Sequence, residues 1–292
     1  MSISTTALML NTDGSVYHLH AFPEDIGSTI LFVGDPKRTD YVAQHFDSID
    51  IKRFHREFIL QTGWLSNKRI TVISTGIGCD NIDIVMNELD ALVNLDLKNK
   101  TIKKNLTQLN IIRLGTAGAI QPEIAPDTLV MSSHAFAMEG LLNYYQHHYD
   151  EKEAPLFSAI HQHFEEFPMR ENLYLHAGSE PLLKAFQPIA SLGVTFTCCG
   201  FYGPQHRQIR APIIKKDILQ AAQQFWDGKH RILNFEMETA AIYGLGKLLN
   251  HHCCSISTII ANRINETQST NVDKAVNRMI EQALSILQAF GN

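Results

Sequence analysis

Two glutamates, Glu236 and Glu238, open a stretch of mostly apolar residues that extends to Leu249. A segment that is apolar on every face is typical of a helix in a domain interior. An ionised carboxylate in such a place needs a polar partner, because its transfer out of water is costly. The partner is either structural, such as an arginine or the N–H groups of a helix start, or a ligand with adjacent hydroxyls. For this stretch taken alone, the structural partner is the better interpretation.

Two arginines stand beside glycine-rich segments that follow apolar runs. Arg38 follows Gly34-Asp35-Pro36, Arg113 lies in a run that ends in Gly115-Thr116-Ala117-Gly118, and a third run ends in Gly76-Ile77-Gly78. A glycine turn before a helix offers N–H groups to an anion, and an arginine in an apolar run is costly unless an anion meets it. We therefore expect an anion site outside the carboxyl ends of α/β strands. These strands are predicted at 29–33, 69–75 and 110–114.

The 292 residues, 45% hydrophobic and 19% charged, fit one large α/β domain or two small ones. The formal net charge of −5 comes without a lysine or arginine block, which argues against nucleic-acid and membrane partners and favours a small molecule. The N-terminus lacks a basic leader and no apolar run reaches about 18 residues, so we expect a cytoplasmic protein. Five cysteines without a disulfide framework or zinc-ligand spacing are interpreted as reduced core thiols.

The remainder of the chain contains further predicted elements and one segment of different amino-acid composition. Residues 140–176 combine tyrosines, histidines and acids with a helical apolar stripe from Leu156 to Phe167. We interpret them as an inserted helical subregion, because they are too few to hold a core of their own. The further elements are a candidate edge strand at 17–20, strands at 193–199 and 253–260, and an amphipathic helix at 272–287.

Seven short motifs, in order along the chain, resemble those of the nucleoside phosphorylases of the purine/uridine phosphorylase type, most closely the uridine phosphorylases. The resemblance extends from about Tyr17 to the last helix, except for 140–176. It implies a single domain over residues 1–292, with a three-layer α/β/α fold and a twisted mixed central sheet that is partly closed like a barrel. The motifs are Gly34-Asp35-Pro36-x-Arg38, Arg56-Glu57-Phe58, Ser74-Thr75-Gly76-Ile77-Gly78, Arg113-x-Gly115-Thr116-x-Gly118, Phe201-Tyr202-x-x-Gln205-x-Arg207, Phe235-Glu236-Met237-Glu238 and Asn262-Arg263.

The resemblance assigns residues to a phosphate, a ribose and a base subsite. Arginines would supply bidentate donors to the phosphate dianion, and Arg56 and His18 would each reach the pocket of a neighbouring subunit. The predicted residues are Gly34, Arg38, Arg56, Arg113 and Thr116 for phosphate, His18, Thr116, Met237 and Glu238 for ribose, and Phe201, Gln205, Arg207 and Arg263 for the base. Four of these, Arg113, Gln205, Arg207 and Glu238, are the predicted catalytic residues.

The chain departs from the family pattern in two loops. Cys79-Asp80-Asn81 stands where relatives usually have Gly-Pro-Ser, and Gly203-Pro204 stands where many have the reverse order. Some relatives hold a potassium ion between subunits, which would correspond here to Glu57, Ile77 and Asn81, with asparagine in place of serine. No cofactor is expected otherwise, since inorganic phosphate is the co-substrate.

The activity that the resemblance implies is reversible phosphorolysis of a pyrimidine nucleoside, uridine, to uracil and ribose 1-phosphate. The Gln205 amide is complementary to O2 and N3–H of uracil, and Arg207 can donate to O4. Purine-specific relatives and nucleosidases carry a Ser-Asp pair where this chain has Asn262-Arg263. A departing uracil spreads its charge over O2 and O4, so hydrogen-bond donors can replace the acid that a purine needs at N7.

Three alternatives stay open from the sequence. The chain could be a phosphorylase of another nucleoside (a purine nucleoside, deoxyuridine or thymidine), a nucleosidase that uses water, or a nucleoside-binding protein without catalysis. A nucleosidase would leave the arginine cluster without an anion. The expected assembly is a homodimer with shared active sites, or a hexamer built as a trimer of such dimers.

Overall fold

A computed structural model describes residues 3–290, in which helices cover both faces of a large sheet. The strands are β1 (Thr29–Val33), β2 (Ser48–His55), β3 (Phe58–Leu65), β4 (Lys68–Ser74), β5 (Leu95–Asp96), β6 (Thr101–Ile102), β7 (Asn110–Ala119), β8 (Leu129–Ala137), β9 (Tyr174–Ala177), β10 (Ser191–Thr197), β11 (Ile232–Glu236), β12 (His252–Asn262) and β13 (Thr267–Gln268). The α-helices are α1 (Pro36–Ala43), α2 (Cys79–Asn94), α3 (Glu153–His163), α4 (Glu180–Phe186), α5 (Ile218–Gln224), α6 (Thr239–Leu248) and α7 (Val272–Ala289).

The main sheet has the strand order β13-β12-β8-β10-β11-β7-β1-β4-β3-β2, with β9 beside β8. Because β12 also pairs with β7, the five strands β7, β12, β8, β10 and β11 close into a ring. The pairs β1–β4, β1–β7 and β7–β12 are parallel, whereas β2–β3, β3–β4 and β7–β11 are antiparallel. The predicted mixed sheet, partly closed like a barrel, is therefore confirmed.

Strand β1 shows how the layers are built. Ile30 and Phe32 pack into one core cluster with α2 and α6, while Leu31 and Val33 pack into another with α1, α4 and α7. A strand that is apolar on both faces is typical of a parallel strand between two helical layers. This arrangement confirms the three-layer α/β/α class. In the described range 3–290, no helix has both the length and the apolar character that a bilayer crossing requires.

The segment 140–176 packs against the barrel side of the molecule. Its predicted apolar stripe lies on and just after α3, and Ile160 and Phe164 are buried in a cluster with Phe136 and Phe196. The segment also contains most of β9, which pairs with β8 in the main sheet, so it is not purely helical as predicted. Glu153, a buried residue of this segment, forms an ion pair with Lys247 of α6, with 2.5 Å between Oε2 and Nζ.

Two further predictions about local structure are wrong. Residues 17–20 form a turn, because the Glu88 carboxylate accepts hydrogen bonds from the N–H groups of His18 and Leu19 that a strand would need for its ladder. The predicted glycine turn after residue 114 is the second half of β7, because β12 and β11 supply ladder partners on both of its edges.

The prediction that all cysteines are core thiols is also wrong for one of the five. Cys79, Cys198, Cys253 and Cys254 are buried, whereas Cys199 is exposed. Cys199 follows β10 at the start of the loop that carries Phe201, so the chain has already left the sheet at this residue.

Candidate active site

The glutamates at the junction between β11 and α6 are buried, and both carboxylate oxygens of each accept hydrogen bonds from the protein. Glu236 accepts hydrogen bonds from the Thr197 hydroxyl at 2.5 Å and from the N–H groups of Glu238 and Thr239, each at 3.0 Å. Glu238 accepts from the Gly78 N–H at 2.9 Å and from Arg113 Nη2 at 2.5 Å. Apart from the Thr197 hydroxyl, these donors are of the structural kind expected from the sequence, namely an arginine and the backbone N–H groups of helix starts and turns.

Arg113 and Glu238 form a buried ion pair, with Glu236 Oε2 3.3 Å from the same Nη2 atom. Burial raises the pKa of Glu238 above its ordinary value, even though Arg113 favours the carboxylate. Burial also disfavours the Arg113 cation, but the two glutamates beside it raise its pKa overall. Removal of Arg113 would leave two buried carboxylates without a counter-charge, so the pair is both a structural element and a candidate binding group.

A second arginine lies close to this pair. Arg38 extends from the first turn of α1 and donates from Nη1 to the Leu114 carbonyl at 3.3 Å. Burial and the neighbouring Arg113 lower the pKa of Arg38 below its ordinary value. A cation that is destabilised by burial and by a like charge gains from an anionic ligand. Together with Gly34 and Thr116, which line the same space, Arg38 makes this end of the cavity suitable for phosphate.

A second cluster of polar groups surrounds Phe201. Arg207 lies over the Phe201 ring, 4.0 Å from the ring centroid, and donates to the Phe201 carbonyl at 3.1 Å and to Gln205 Oε1. Arg263 Nη1 donates to the Gln205 backbone carbonyl at 3.0 Å. Burial and the neighbouring Arg263 lower the pKa of Arg207 to about 10, which leaves it charged at neutral pH. The Gln205 amide nitrogen makes no hydrogen bond within residues 3–290 and is free to donate to a ligand.

Both clusters border one cavity of about 1050 Å³. Strand β7 joins them, because Leu114 contacts Arg38 and a Cβ on Gly118 would lie 3.9 Å from Arg207 Nη2. At about 3.3 Å per strand residue, Leu114 and Gly118 are about 13 Å apart along β7. The predicted residues in the cavity wall are Gly34, Arg38, Arg113, Thr116, Phe201, Gln205, Arg207, Met237 and Glu238, together with Glu57, Ile77 and Asn81.

Three predicted residues, His18, Arg56 and Arg263, lie outside the cavity wall. Arg263 contacts the cavity wall indirectly, because it donates a hydrogen bond to the backbone carbonyl of Gln205. His18 and Arg56 share a surface, since His18 forms an edge contact with the Tyr17 ring at 4.9 Å and Arg56 lies 5.8 Å from the same ring. His18 and Arg56 do not line this chain's own cavity, and their role in a neighbour's cavity stays a prediction.

Glu57 and Asn81 approach each other on either side of Gly76. A Cβ on Gly76 would lie 2.5 Å from Asn81 Nδ2 and 3.4 Å from Glu57 Cγ, and the φ angle of +69° also favours glycine there. The Asn81 amide nitrogen, a donor, is the atom nearest this turn. Potassium binding at Glu57, Ile77 and Asn81 stays a prediction.

Asn262 shapes the turn after β12 and does not line the cavity. Its Nδ2 donates to the carbonyls of Gln121 and Ile124, both at 2.8 Å. Its Oδ1 accepts from the N–H groups of Ile264 at 2.8 Å and Asn265 at 3.0 Å. Both amide hydrogens and both lone-pair positions are thus used within the protein, so Asn262 has no proton to offer a ligand.

Some cavity residues carried no signal in the sequence. Gln268 of β13, Ser269 and the first helical residue of α7, Val272, line the wall because the β12–β13 hairpin returns the chain to the cavity. Ser257 of β12 contacts Arg113 from behind the wall. Neither the hairpin nor this contact has a sequence motif of its own, so only the fold shows them.

A family model of the phosphorylase superfamily matches residues 28–291. The chain belongs to the phosphorylase superfamily. One relative is the uridine phosphorylase of Treponema pallidum (strain Nichols), which is 28% identical over 89% of this chain and 87% of the relative. Another is the DeoD-type purine nucleoside phosphorylase of Buchnera aphidicola (subsp. Acyrthosiphon pisum, strain 5A), which is 26% identical over 92% of this chain and 98% of the relative. A solved structure of Trypanosoma brucei nucleoside phosphorylase, described as showing uridine phosphorylase activity, superposes with a TM-score of 0.85 at 25% identity over 97% of this chain and 99% of that chain.

Membership of the phosphorylase superfamily confirms the predicted family and the predicted enzyme class, a nucleoside phosphorylase. The names of the relatives divide between uridine and purine nucleosides. The comparisons therefore show nucleoside phosphorylase activity and not which base the enzyme prefers.

Proposed function

We propose that this enzyme catalyses the reversible phosphorolysis of uridine. A phosphate oxygen forms a bond to C1′ of the ribose while the C1′–N1 bond breaks, and the bonding electrons leave with the uracil. The uracil anion takes up a proton to give uracil, and the sugar leaves as ribose 1-phosphate. The bond breaks through an oxocarbenium-like transition state, so catalysis depends on positioning and electrostatics and requires no cofactor.

The observation that carries this proposal is the distribution of charge and hydrogen-bonding groups in one cavity. Arg38 and Arg113 stand at one end for the phosphate, and Gln205 and Arg207 stand at the other for the base. Glu238, which lines the cavity beside Arg113, can accept bonds from ribose hydroxyls with its remaining lone pairs. The separation of about 13 Å along β7 suits a nucleoside with phosphate beside its C1′.

The residues around Phe201 favour a pyrimidine. The free Gln205 amide nitrogen can donate to uracil O2, and its oxygen, already held by Arg207, can accept from N3–H. Arg207 supplies positive charge where a departing uracil accumulates negative charge. A purine leaving group would gain from an acid at N7, and where purine-specific relatives carry Ser-Asp this chain has Asn262-Arg263, neither of which is a carboxylic acid. The uridine phosphorylases among the relatives point the same way.

The active unit that fits these residues is a homodimer. If His18 and Arg56 contribute to catalysis, they do so in the cavity of a second subunit, because they lie on a shared surface outside their own cavity. A His18 ring from a neighbour would meet the ribose 5′-hydroxyl, and Arg56 would add a third cation to the phosphate end.

The proposal is tested by incubating the purified enzyme with uridine, deoxyuridine, thymidine, cytidine, inosine and adenosine, with and without phosphate, and measuring free base by chromatography. Uridine should be cleaved fastest and only with phosphate. Cytidine should be much slower, because it lacks the N3 proton and would face the Arg207 donors with its amino group. Faster cleavage of inosine than of uridine would refute the pyrimidine assignment and leave a purine nucleoside phosphorylase.

A further inference from the structure

Ser257 lies behind the cavity wall and holds the side chain of Arg113. It sits on β12 directly opposite Gly115 of β7, and only 3% of its surface is exposed. Arg113 Nη1 donates to Ser257 Oγ at 3.2 Å. Nη2 of the same guanidinium is held separately by Glu238 at 2.5 Å, with Glu236 at 3.3 Å. The two terminal nitrogens are thus fixed by different elements of the fold.

Gly115 makes this contact sterically feasible. The Arg113 side chain turns along β7 and passes over residue 115, where a Cβ would lie 1.8 Å from Nη1. Any larger residue at 115 would push the guanidinium away from β12. The glycine and the serine, paired across the two strands, therefore form one cradle for the Nη1 end of Arg113.

The contact determines which N–H groups remain for a ligand. A guanidinium is a planar fork with five donors, and here Nη2 faces two carboxylates while Nη1 gives one hydrogen to Ser257. A fork held at one nitrogen only can swing about that nitrogen, whereas a fork held at both has a fixed plane. Serine fixes the plane without adding negative charge, which matters because two carboxylates already face this arginine and the ligand is itself an anion.

We infer that Ser257 is a positioning residue for phosphate binding. It orients Arg113 so that the free Nη1–H and Nε–H groups point to the phosphate end of the cavity. The inference rests on the proposed phosphate role of Arg113 and adds a residue that itself touches no substrate. Loss of the Ser257 hydroxyl would leave the Arg113–Glu238 pair in place but release the orientation of the guanidinium. The loss of the hydroxyl should therefore weaken phosphate binding and leave nucleoside binding unchanged.

The test compares S257A, S257T and T258V with the wild-type enzyme by steady-state kinetics, with each substrate varied in turn, and by thermal unfolding. S257A should raise the KM for phosphate about three- to tenfold, the effect of one lost hydrogen bond, and change the KM for uridine less than twofold. S257T retains a hydroxyl and should stay close to the wild type. T258V removes a buried hydroxyl on the same strand that has no hydrogen-bond partner within residues 3–290, and its KM for phosphate should not change.

The outcomes separate this inference from the proposed function. A wild-type enzyme that cleaves uridine equally well without phosphate would refute the proposed function, and the inference with it. Normal phosphate dependence together with an unchanged KM for phosphate in S257A would overturn the inference alone. An S257A enzyme that unfolds at a lower temperature and loses affinity equally for both substrates would show a structural role only. A cycle with R113K adds a check, because S257A should have a smaller effect on phosphate once the guanidinium fork is absent.

Discussion

Replacement of Glu238 by glutamine tests whether this carboxylate acts in catalysis or only in folding. In the structure, both carboxylate oxygens face donors, the Gly78 N–H at 2.9 Å and Arg113 Nη2 at 2.5 Å. Glutamine has almost the same shape but one oxygen and one NH₂ group. In either orientation of the amide, one of the two donors faces another donor. The loss of one hydrogen bond to a charged group corresponds to about 1.5–3 kcal/mol.

The same substitution also weakens the acceptor that would receive the ribose hydroxyls. We expect E238Q to lower kcat/KM for uridine about 30- to 1,000-fold, equivalent to about 2–4 kcal/mol of transition-state stabilisation. The free energy of unfolding, measured with denaturant, should fall by about 1–3 kcal/mol. Kinetics must be measured on protein shown to be folded under the assay conditions.

Glu153 provides a matched control for E238Q. Its carboxylate is buried and accepts bonds from Lys247 at 2.5 Å and from the Ala177 N–H at 2.9 Å, but it does not line the cavity. E153Q should therefore destabilise the protein by a similar amount and leave kcat/KM for uridine within about twofold of the wild type. If E238Q lost no more activity than E153Q, Glu238 would be a structural residue and the ribose assignment would be wrong.

Three further results are expected. Burial disfavours the charged form of Glu153, but hydrogen bonds from His176 and Lys247 lower the pKa of Glu153 from 4.5 to about 2. The contribution of Glu153 to the free energy of unfolding is therefore complete above pH 4.5 and is lost as the pH falls toward 2. E153Q should flatten this part of the pH dependence of denaturant unfolding. Q205L should lower kcat/KM for uridine by about 2–4 kcal/mol and reduce the preference for uridine over cytidine, whereas an unchanged preference would limit Gln205 to bracing its loop. Mixing inactive E238A and H18A chains under conditions of subunit exchange should restore activity, to about a quarter of the wild-type value for random C2 dimers. No recovery despite exchange would exclude a shared site.

The layers of the fold could be predicted because they depend on short-range patterns. The apolar run of β1 and the Gly34-Asp35-Pro36 turn before α1 lie within a few residues of each other, and the structure has both at the expected places. The path of β7 through Gly115 and Gly118 could not be predicted in this way. A glycine-rich segment turns or continues according to its ladder partners, and those partners, in β11 and β12, come from distant parts of the chain.

Nine of the residues predicted for the phosphate, ribose and base subsites line one cavity, but the contacts among them could not be predicted from the sequence. The sequence indicates that Glu238 needs a donor and that Arg113 needs an anion, and the structure brings the two together as an ion pair. Each residue therefore satisfies the other while both still face the cavity. The role of Asn262 in its turn, and the hold of Ser257 on Arg113, depend on side-chain geometry that no sequence pattern specifies.

The most direct test of the central claim is phosphorus NMR of the wild-type enzyme with uridine and inorganic phosphate, with uracil measured in parallel. If Arg38 and Arg113 hold phosphate for attack at C1′, a sugar 1-phosphate signal should grow in a one-to-one ratio with uracil, and no uracil should form when phosphate is omitted. Uracil that accumulates together with free ribose, at a rate independent of phosphate, would contradict the account and identify a hydrolase.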